Sequence, residues 1–389
     1  MAKSERTYLD WNATAPLLPA AREAFLATLD LAGNPSSVHG EGREIRALIE
    51  AARRDVAALV GAAASHVVFT SGATEAANMV LTPDFRMGRT PMKVGRLYVS
   101  AIEHPAVREG GRFDRGDVCE IPVTPAGIVD LAALDGLLSA HDRESGLPIV
   151  AVMVANNETG IVQPVREVAE IVHRYGGLYV ADAVQAAGRI TLTIEETGAD
   201  FLILSSHKLG GPKGVGALVS RGEVLMPKPL IHGGGQEKGH RSGTENAPAI
   251  AGFGAAARAA AQRLDERNAL IAALRDRMEA QMAKHAGDLV VHGRNAQRLS
   301  NTSFFSLPGL KSETGQIAFD LEGIAISAGS ACSSGKVGQS HVLTAMGFDA
   351  ALGGLRVSLG ETTREADIGR FLDAFARIAS RRRVPVAAA

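Results

Sequence analysis

The sequence predicts an α/β protein: a large domain built on a mostly parallel seven-stranded sheet covered by helices, followed by a smaller α+β C-terminal domain. Three observations predict it. Between about residues 60 and 220, short apolar runs alternate with amphipathic segments, the pattern of strands joined by helical crossovers. The runs are continuously apolar, which marks strands buried on both faces and so covered by helices on each side. At 389 residues the chain also exceeds the size at which one hydrophobic core stops growing.

The seven runs are Val67 to Thr70, Arg96 to Ser100, Val118 to Val123, Ile149 to Val154, Leu178 to Ala181, Phe201 to Leu204 and Val215 to Val219. Ligands of such sheets sit beyond the carboxyl ends of the strands, and there the sequence turns polar. From Glu245 to about His285 an alanine-rich stretch carries Leu264, Leu270, Leu274 and Met278 at helical spacing, which predicts one long helix linking the domains. Beyond it, strands are expected at Leu289 to His292, Ser303 to Leu307, Gly323 to Ser327 and Leu355 to Leu359, with helices near 311–321, 340–346 and 364–380. The expected division is an N-terminal arm over 1–15, a large domain over 16–255 and a small domain over 256–389, with the linking helix at about 246–285.

Composition narrows the function classes. Lysine plus arginine (41) balances aspartate plus glutamate (42), so no global field recommends nucleic acid or an anionic membrane as partner. No apolar run approaches the roughly eighteen residues that span a bilayer, and the N-terminus lacks the apolar stretch of a secretory signal. A soluble, cytoplasmic protein is expected. Two cysteines, Cys119 and Cys332, make no disulfide framework. Cys119 lies within an apolar run and reads as packing, whereas Cys332 lies in the small, polar, glycine-containing stretch from Ser327 to Lys336 and reads as an accessible thiol.

Three constellations carry chemistry. Thr70-Ser71-Gly72-Ala73-Thr74-Glu75 follows a strand and opens a helix, which suits a phosphate cradle or, equally, a simple helix cap. Asp182 ends an apolar run, where a carboxylate either caps the next helix or meets a cation such as a protonated pyridine nitrogen. His207-Lys208 follows another strand and precedes a glycine-rich turn; a solvated lysine and an imine-forming lysine both fit. The three together, with Lys208 some 26 residues after Asp182, match the needs of a pyridoxal-phosphate site. The run from Gly329 to Lys336 has the wrong spacing for a nucleotide loop, and no His-Glu-x-x-His or Cys-x-x-Cys pair suggests a metal centre.

With these residues in place, the chain resembles the cysteine desulfurases of the NifS/IscS type, which have the class V aminotransferase, pyridoxal 5'-phosphate-dependent (aspartate aminotransferase-like) fold. The resemblance runs through Tyr8-Leu9-Asp10, Asn34-Pro35-Ser36-Ser37, the cradle at 70–75, Glu103-His104-Pro105, Asn156-Asn157-Glu158-Thr159-Gly160, Asp182 to Gly188, Ser205 to Lys208, Gly233 to Asn246 and the Cys332 stretch. It implies that Lys208 forms the imine with the cofactor, Asp182 pairs with the ring nitrogen, Gln185 bonds the ring oxygen and His104 stacks on the ring. Ala73, Thr74, Ser205 and His207 would hold the phosphate, Asn157 would touch the cofactor, and Thr244 would reach the phosphate of a second subunit in a homodimer. Arg356, helped by Asn34 and Asn157, would bind the substrate carboxylate.

The implied reaction takes sulfur from L-cysteine, leaving L-alanine and a persulfide on Cys332, with Lys208 moving the α-proton and His104 handling the thiol proton. The sulfur would pass to an iron-sulfur scaffold or another acceptor protein. The extended stretch around Cys332 resembles the long-loop group of the family. Trp11 and Ala15 depart from the family's usual Asn and Thr, both within the N-terminal arm. Alternatives at this point are a selenocysteine lyase or other class V lyase or aminotransferase with Cys332 incidental, and a non-catalytic scaffold for sulfur assembly.

Overall fold

The computed structural model describes residues 6–329, 339–349 and 352–382. Its centre is a sheet in the order Val118–Ile121, Thr90–Ser100, Leu147–Ala151, Leu178–Asp182, Phe201–Ser205, Gly216–Ser220 and Val67–Thr70. Six of these strands share one direction, and Gly216–Ser220 runs against both of its neighbours. A hairpin-like extension, Asp84–Met87 paired with Leu225–Pro227, adds to the first half of the long strand Thr90–Ser100 and brings the sheet to nine strands. The apolar-run criterion passes over this extension because Asp84–Met87 buries only Phe85.

Burial on both faces is visible residue by residue. Val150, Tyr179, Ala181, Leu202 and Leu204 enter one core, while Ile149, Ala151, Leu178, Val180, Phe201 and Ile203 enter the other. That is period-two alternation with both sets apolar. On the first face the helices Pro19–Leu29 and Gly40–Leu59 pack on Ala247–Ala261. Small residues permit this approach: a Cβ at Gly254 would fall 2.5 Å from Ala52 Cα.

A second sheet, ordered Val290–Val291, Thr302–Ser306, Leu355–Ser358 and Ser327–Ala328, packs with Leu264–His285 and Glu365–Arg381 around its own core of Phe305, Phe319, Phe371 and Phe375. The expected single helix over 246–285 is instead two, Ala247–Ala261 and Leu264–His285. Between them Gln262 is extended and Arg263 is left-handed at φ 52°. The break turns the second helix so that Arg267 Nη2 donates to Gly188 O at 2.6 Å and Ala260 O at 2.9 Å, tying the joint to the large sheet's crossover.

The N-terminal arm belongs by pairing to this second part. Thr7–Tyr8 runs parallel to Ile324–Ala325, and Asp10 bridges to Ser358. A turn at 11–13 then carries the chain back across the end of the large sheet.

Candidate active site

Four strand ends and one helix start meet at a single cavity of about 430 Å³. Leu147–Ala151, Leu178–Asp182 and Phe201–Ser205 are parallel neighbours, so Asn157, Asp182 and Lys208, which follow or end them, arrive on the same edge. Val67–Thr70 delivers Ser71 and Gly72, and the helix Ala73–Val80 starts there, presenting Ala73 and Thr74 to the cavity. A Cβ at Gly216 would fall 2.7 Å from the Gly72 carbonyl carbon, so a glycine is needed for the cradle to sit against that strand. Glu75 braces the turn: its carboxylate accepts from Ser71 N at 2.8 Å and pairs with Arg241 Nε at 3.0 Å.

Asp182 opens onto the cavity and is otherwise shut away from solvent. Its Oδ1 accepts from Val184 N at 2.9 Å. Burial pushes it up to about 6, against the pull of that hydrogen bond and of Lys208. Behind it lies Glu103, fully buried, whose Oε1 accepts from Met153 N at 2.6 Å while Oε2 meets no hydrogen-bond partner among the described residues. Burial, and then the charge of Asp182, hold Glu103 well above the usual carboxylate range.

Lys208 reaches over the N-terminal turn. Its Nζ donates to Asn12 O at 2.5 Å and Ala13 O at 2.9 Å. His207, beside it, shares a 2.6 Å hydrogen bond between Nδ1 and Thr14 Oγ1. Burial and then the cations Lys208, Lys213 and Arg189 push His207 down to about 4. His104 caps the short helix Pro105–Arg108, its Nδ1 accepting from Ala106 N at 3.1 Å. The neutral ring therefore carries its proton on Nε2, and burial, Lys208 and His341 hold the ring at about 4. As placed, His104 is a neutral donor; to take up a proton it must give up the cap.

A cavity with a lysine amine, a helix N-terminus and a carboxylate that forms no ion pair among the described residues suits a phosphorylated, protonated heterocycle. The profile of the family described as Aminotransferase class-V matches residues 7–371. The chain belongs to the class-V aminotransferase family. Among curated class-V relatives, a cysteine desulfurase of Gluconacetobacter diazotrophicus is 40% identical, covering 94% of this chain and 91% of the relative. One of Cereibacter sphaeroides is 41% identical over 95% and 94%, and an IscS-like cysteine desulfurase of Mycobacterium tuberculosis is 37% identical over 98% of each. The solved NifS-like protein of Rickettsia africae superposes with a TM-score of 0.87 at 34% identity, covering 97% of this chain and all of that one.

Of the residues the sequence singles out, this class-V cavity brings together Ala73, Thr74, His104, Asn157, Asp182, Gln185, Ser205, His207 and Lys208. It does not bring in three others. Asn34 sits in an exposed turn, its Oδ1 accepting from Ser36 N at 2.9 Å. Thr244 is exposed and lines a neighbouring cavity of about 170 Å³ with Ser71 and Arg241. Arg356 is 2% exposed and turned inward, Nη1 donating to Asn157 O and Nη2 to Asp10 Oδ1, each at 2.8 Å. Cys332 and Lys336 lie outside the described residues. Sequence reading gave no role at the site to Asn12, Thr14, Met153 and Lys213, nor to Glu103 behind it. Glu103 alone carried a signal, a charged residue directly after the buried run that leads to His104.

Proposed function

We infer that the chain is a cysteine desulfurase: it removes sulfur from L-cysteine, releases L-alanine and keeps the sulfur as a persulfide on Cys332 for transfer to an acceptor protein. The observation that carries the reading is the convergence of Lys208, Asp182, His104 and the Ala73–Thr74 turn on one cavity, in a chain whose curated relatives bear that name over nearly their whole length. We propose the same division as the sequence suggests, with the cavity in the large domain over 16–255 and Cys332 in the small one.

Pyridoxal 5'-phosphate, bound here, would supply an electron sink at the substrate α-carbon. Lys208 is the residue that would hold it and would move the substrate α-proton. Asp182, ionised, would keep the ring nitrogen protonated. Gln185 would donate to the ring oxygen, and the helix start at Ala73 and Thr74, with Ser205 and His207, would hold the phosphate. Asn157 touches both cofactor and substrate.

Arg356 stands as the residue for the substrate carboxylate, because its Nε is buried without a hydrogen-bond partner among the described residues while Asp10 and Asn157 orient its other two nitrogens. Asn34 and Thr244 complete the site, Thr244 toward the phosphate of a second subunit in a homodimer. Cys332 attacks the substrate sulfur: the substrate C–S bond breaks, an S–S bond forms, and the electron pair left on the three-carbon fragment takes a proton to give alanine. No outside oxidant is required. The sulfur acceptor is proposed to be an iron-sulfur scaffold or a related carrier, and the setting cytoplasmic. Among the described residues no helix is long and apolar enough to cross a membrane.

The test is chemical. After incubation with L-cysteine, mass spectrometry should find one added sulfur on the Cys332 peptide and alanine in solution. Cys332→Ala should keep the visible absorption of the bound cofactor and lose sulfur release. Alanine formation with no sulfur on Cys332 would overturn the assignment.

A further inference from the structure

We infer that Arg189 is a positioning residue of the cavity: its guanidinium fixes the Gln185 amide in one orientation, with the NH₂ group as the only part the amide can offer, so that this wall donates to an anionic ring oxygen of the ligand. The inference rests on the cofactor reading above, with the ligand a 3-hydroxypyridine in its oxyanion form.

Arg189 follows Gln185 by four residues in the crossover that starts at Asp182. Lys208 separates two cavities. Gln185 faces the larger one, and Arg189 lines a smaller one of about 60 Å³ on the far side. Arg189 Nη1 donates to Gln185 Oε1 and, at 2.9 Å, to Asn12 Oδ1. Its Nη2 approaches Trp11 O at 3.3 Å and Lys208 O at 3.5 Å. Gln185 Nε2 donates to Asn12 O at 3.1 Å, an oxygen it shares with Lys208 Nζ.

A guanidinium has five donors and no acceptor, so the atom of Gln185 that meets it must be the oxygen. Flipping the amide would set N–H against N–H inside a site where Gln185 is only 5% exposed. An amide's orientation is ordinarily ambiguous, and here a fixed cation resolves it. The polarity of Gln185 is therefore set by Arg189 and not by the ligand.

The charge of Arg189 adds to this. Its acceptors are all carbonyl oxygens, and among the described residues no carboxylate forms an ion pair with it. Burial, with the neighbouring cations Arg356 and Arg267, pushes it down to about 9, so it remains charged at neutral pH. The titratable and charged groups facing this group from the surrounding elements are Arg356, itself paired with Asp10, Arg267, which faces Glu361, Lys208, and His207, which is held neutral. An inward cation without a carboxylate is costly unless a bound anion completes it. The oxyanion at the Gln185 edge is such a group.

The experiment is a spectroscopic pH titration of the holoenzyme's visible band, with pyridoxal phosphate reconstitution of the cofactor-free protein alongside. A cation near the ring oxygen favours the form that has lost its proton. Arg189→Met should raise the titration midpoint by about one pH unit, tenfold in the proton equilibrium, and weaken cofactor retention. Arg189→Lys should recover most of the midpoint. Gln185→Glu, which keeps Arg189 in place with an ion pair but removes the donor, should raise the midpoint as well and remains informative should Arg189→Met misfold. Midpoints equal to the parent's in all three variants, with the band intact, would overturn the inference. No visible band in the unaltered protein would instead remove the cofactor reading beneath it.

Discussion

Asp182 gains its value from where Leu178–Asp182 ends. A carboxylate with one backbone donor, facing the cavity, is held at about 6 by burial, above its ordinary 3.8. The sign follows. Without cofactor, the folded protein holds this proton more tightly than the unfolded chain, so the contribution of Asp182 to stability falls as pH rises from 3.8 to about 6. Binding a protonated ring demands the opposite state, the carboxylate. Cofactor affinity should therefore rise with pH, by up to about tenfold per unit below about 6, and then flatten. Asp182→Asn should lose that dependence, keeping only the shallower one from the phosphate's own ionisation, and its cofactor-free form should melt above the parent at pH 7 but not at pH 4. Equilibrium dialysis and thermal melts across pH check both. At this scale His104 is the instructive contrast: burial holds it neutral from pH 5 to 8, so no histidine limb near 6.5 should come from it.

The elements that matter most for the site are those that touch it from outside the large sheet. The turn at 11–13 supplies the two carbonyls over Lys208, and it is held by Trp11, which is 7% exposed and lies flat on Gly360. A Cβ at Gly360 would fall 1.9 Å from Trp11 Cδ2. Gly360→Ala should displace the ring, at a cost of about 1–3 kcal/mol in stability, and because Trp11 is the sole tryptophan its emission should shift to the red. Unchanged emission with unchanged stability would mean the arm is not seated on Gly360. Trp11 was legible as a departure from the family pattern, but its partner is 349 residues away in the chain and no local pattern could name it. The seven apolar runs were legible because burial on two faces leaves a continuous signal. The break at Gln262 and Arg263 was not, since neither residue is a helix breaker and the contacts of Arg267 with Gly188 and Ala260 that accompany the left-handed turn are not written in the local sequence.

Across the whole molecule, the site is a product of topology more than of any motif. Ser71, His104, Asp182 and Lys208 are spread over more than a hundred residues, and parallel neighbouring strands bring their ends to one edge. That much could be read ahead, because the polar residues after each apolar run had to share an edge. Residues contributed across the two sheets could not. The inward turn of Arg356 toward Asp10 and Asn157 depends on the second sheet lying against the arm, which sequence spacing does not encode. Everything in the account nonetheless passes through one amine. Borohydride reduction of the purified protein loaded with pyridoxal phosphate, followed by peptide mass spectrometry, should place the phosphopyridoxyl group on Lys208. Finding it on Lys213, the other cavity lysine, or on no lysine at all would contradict the account.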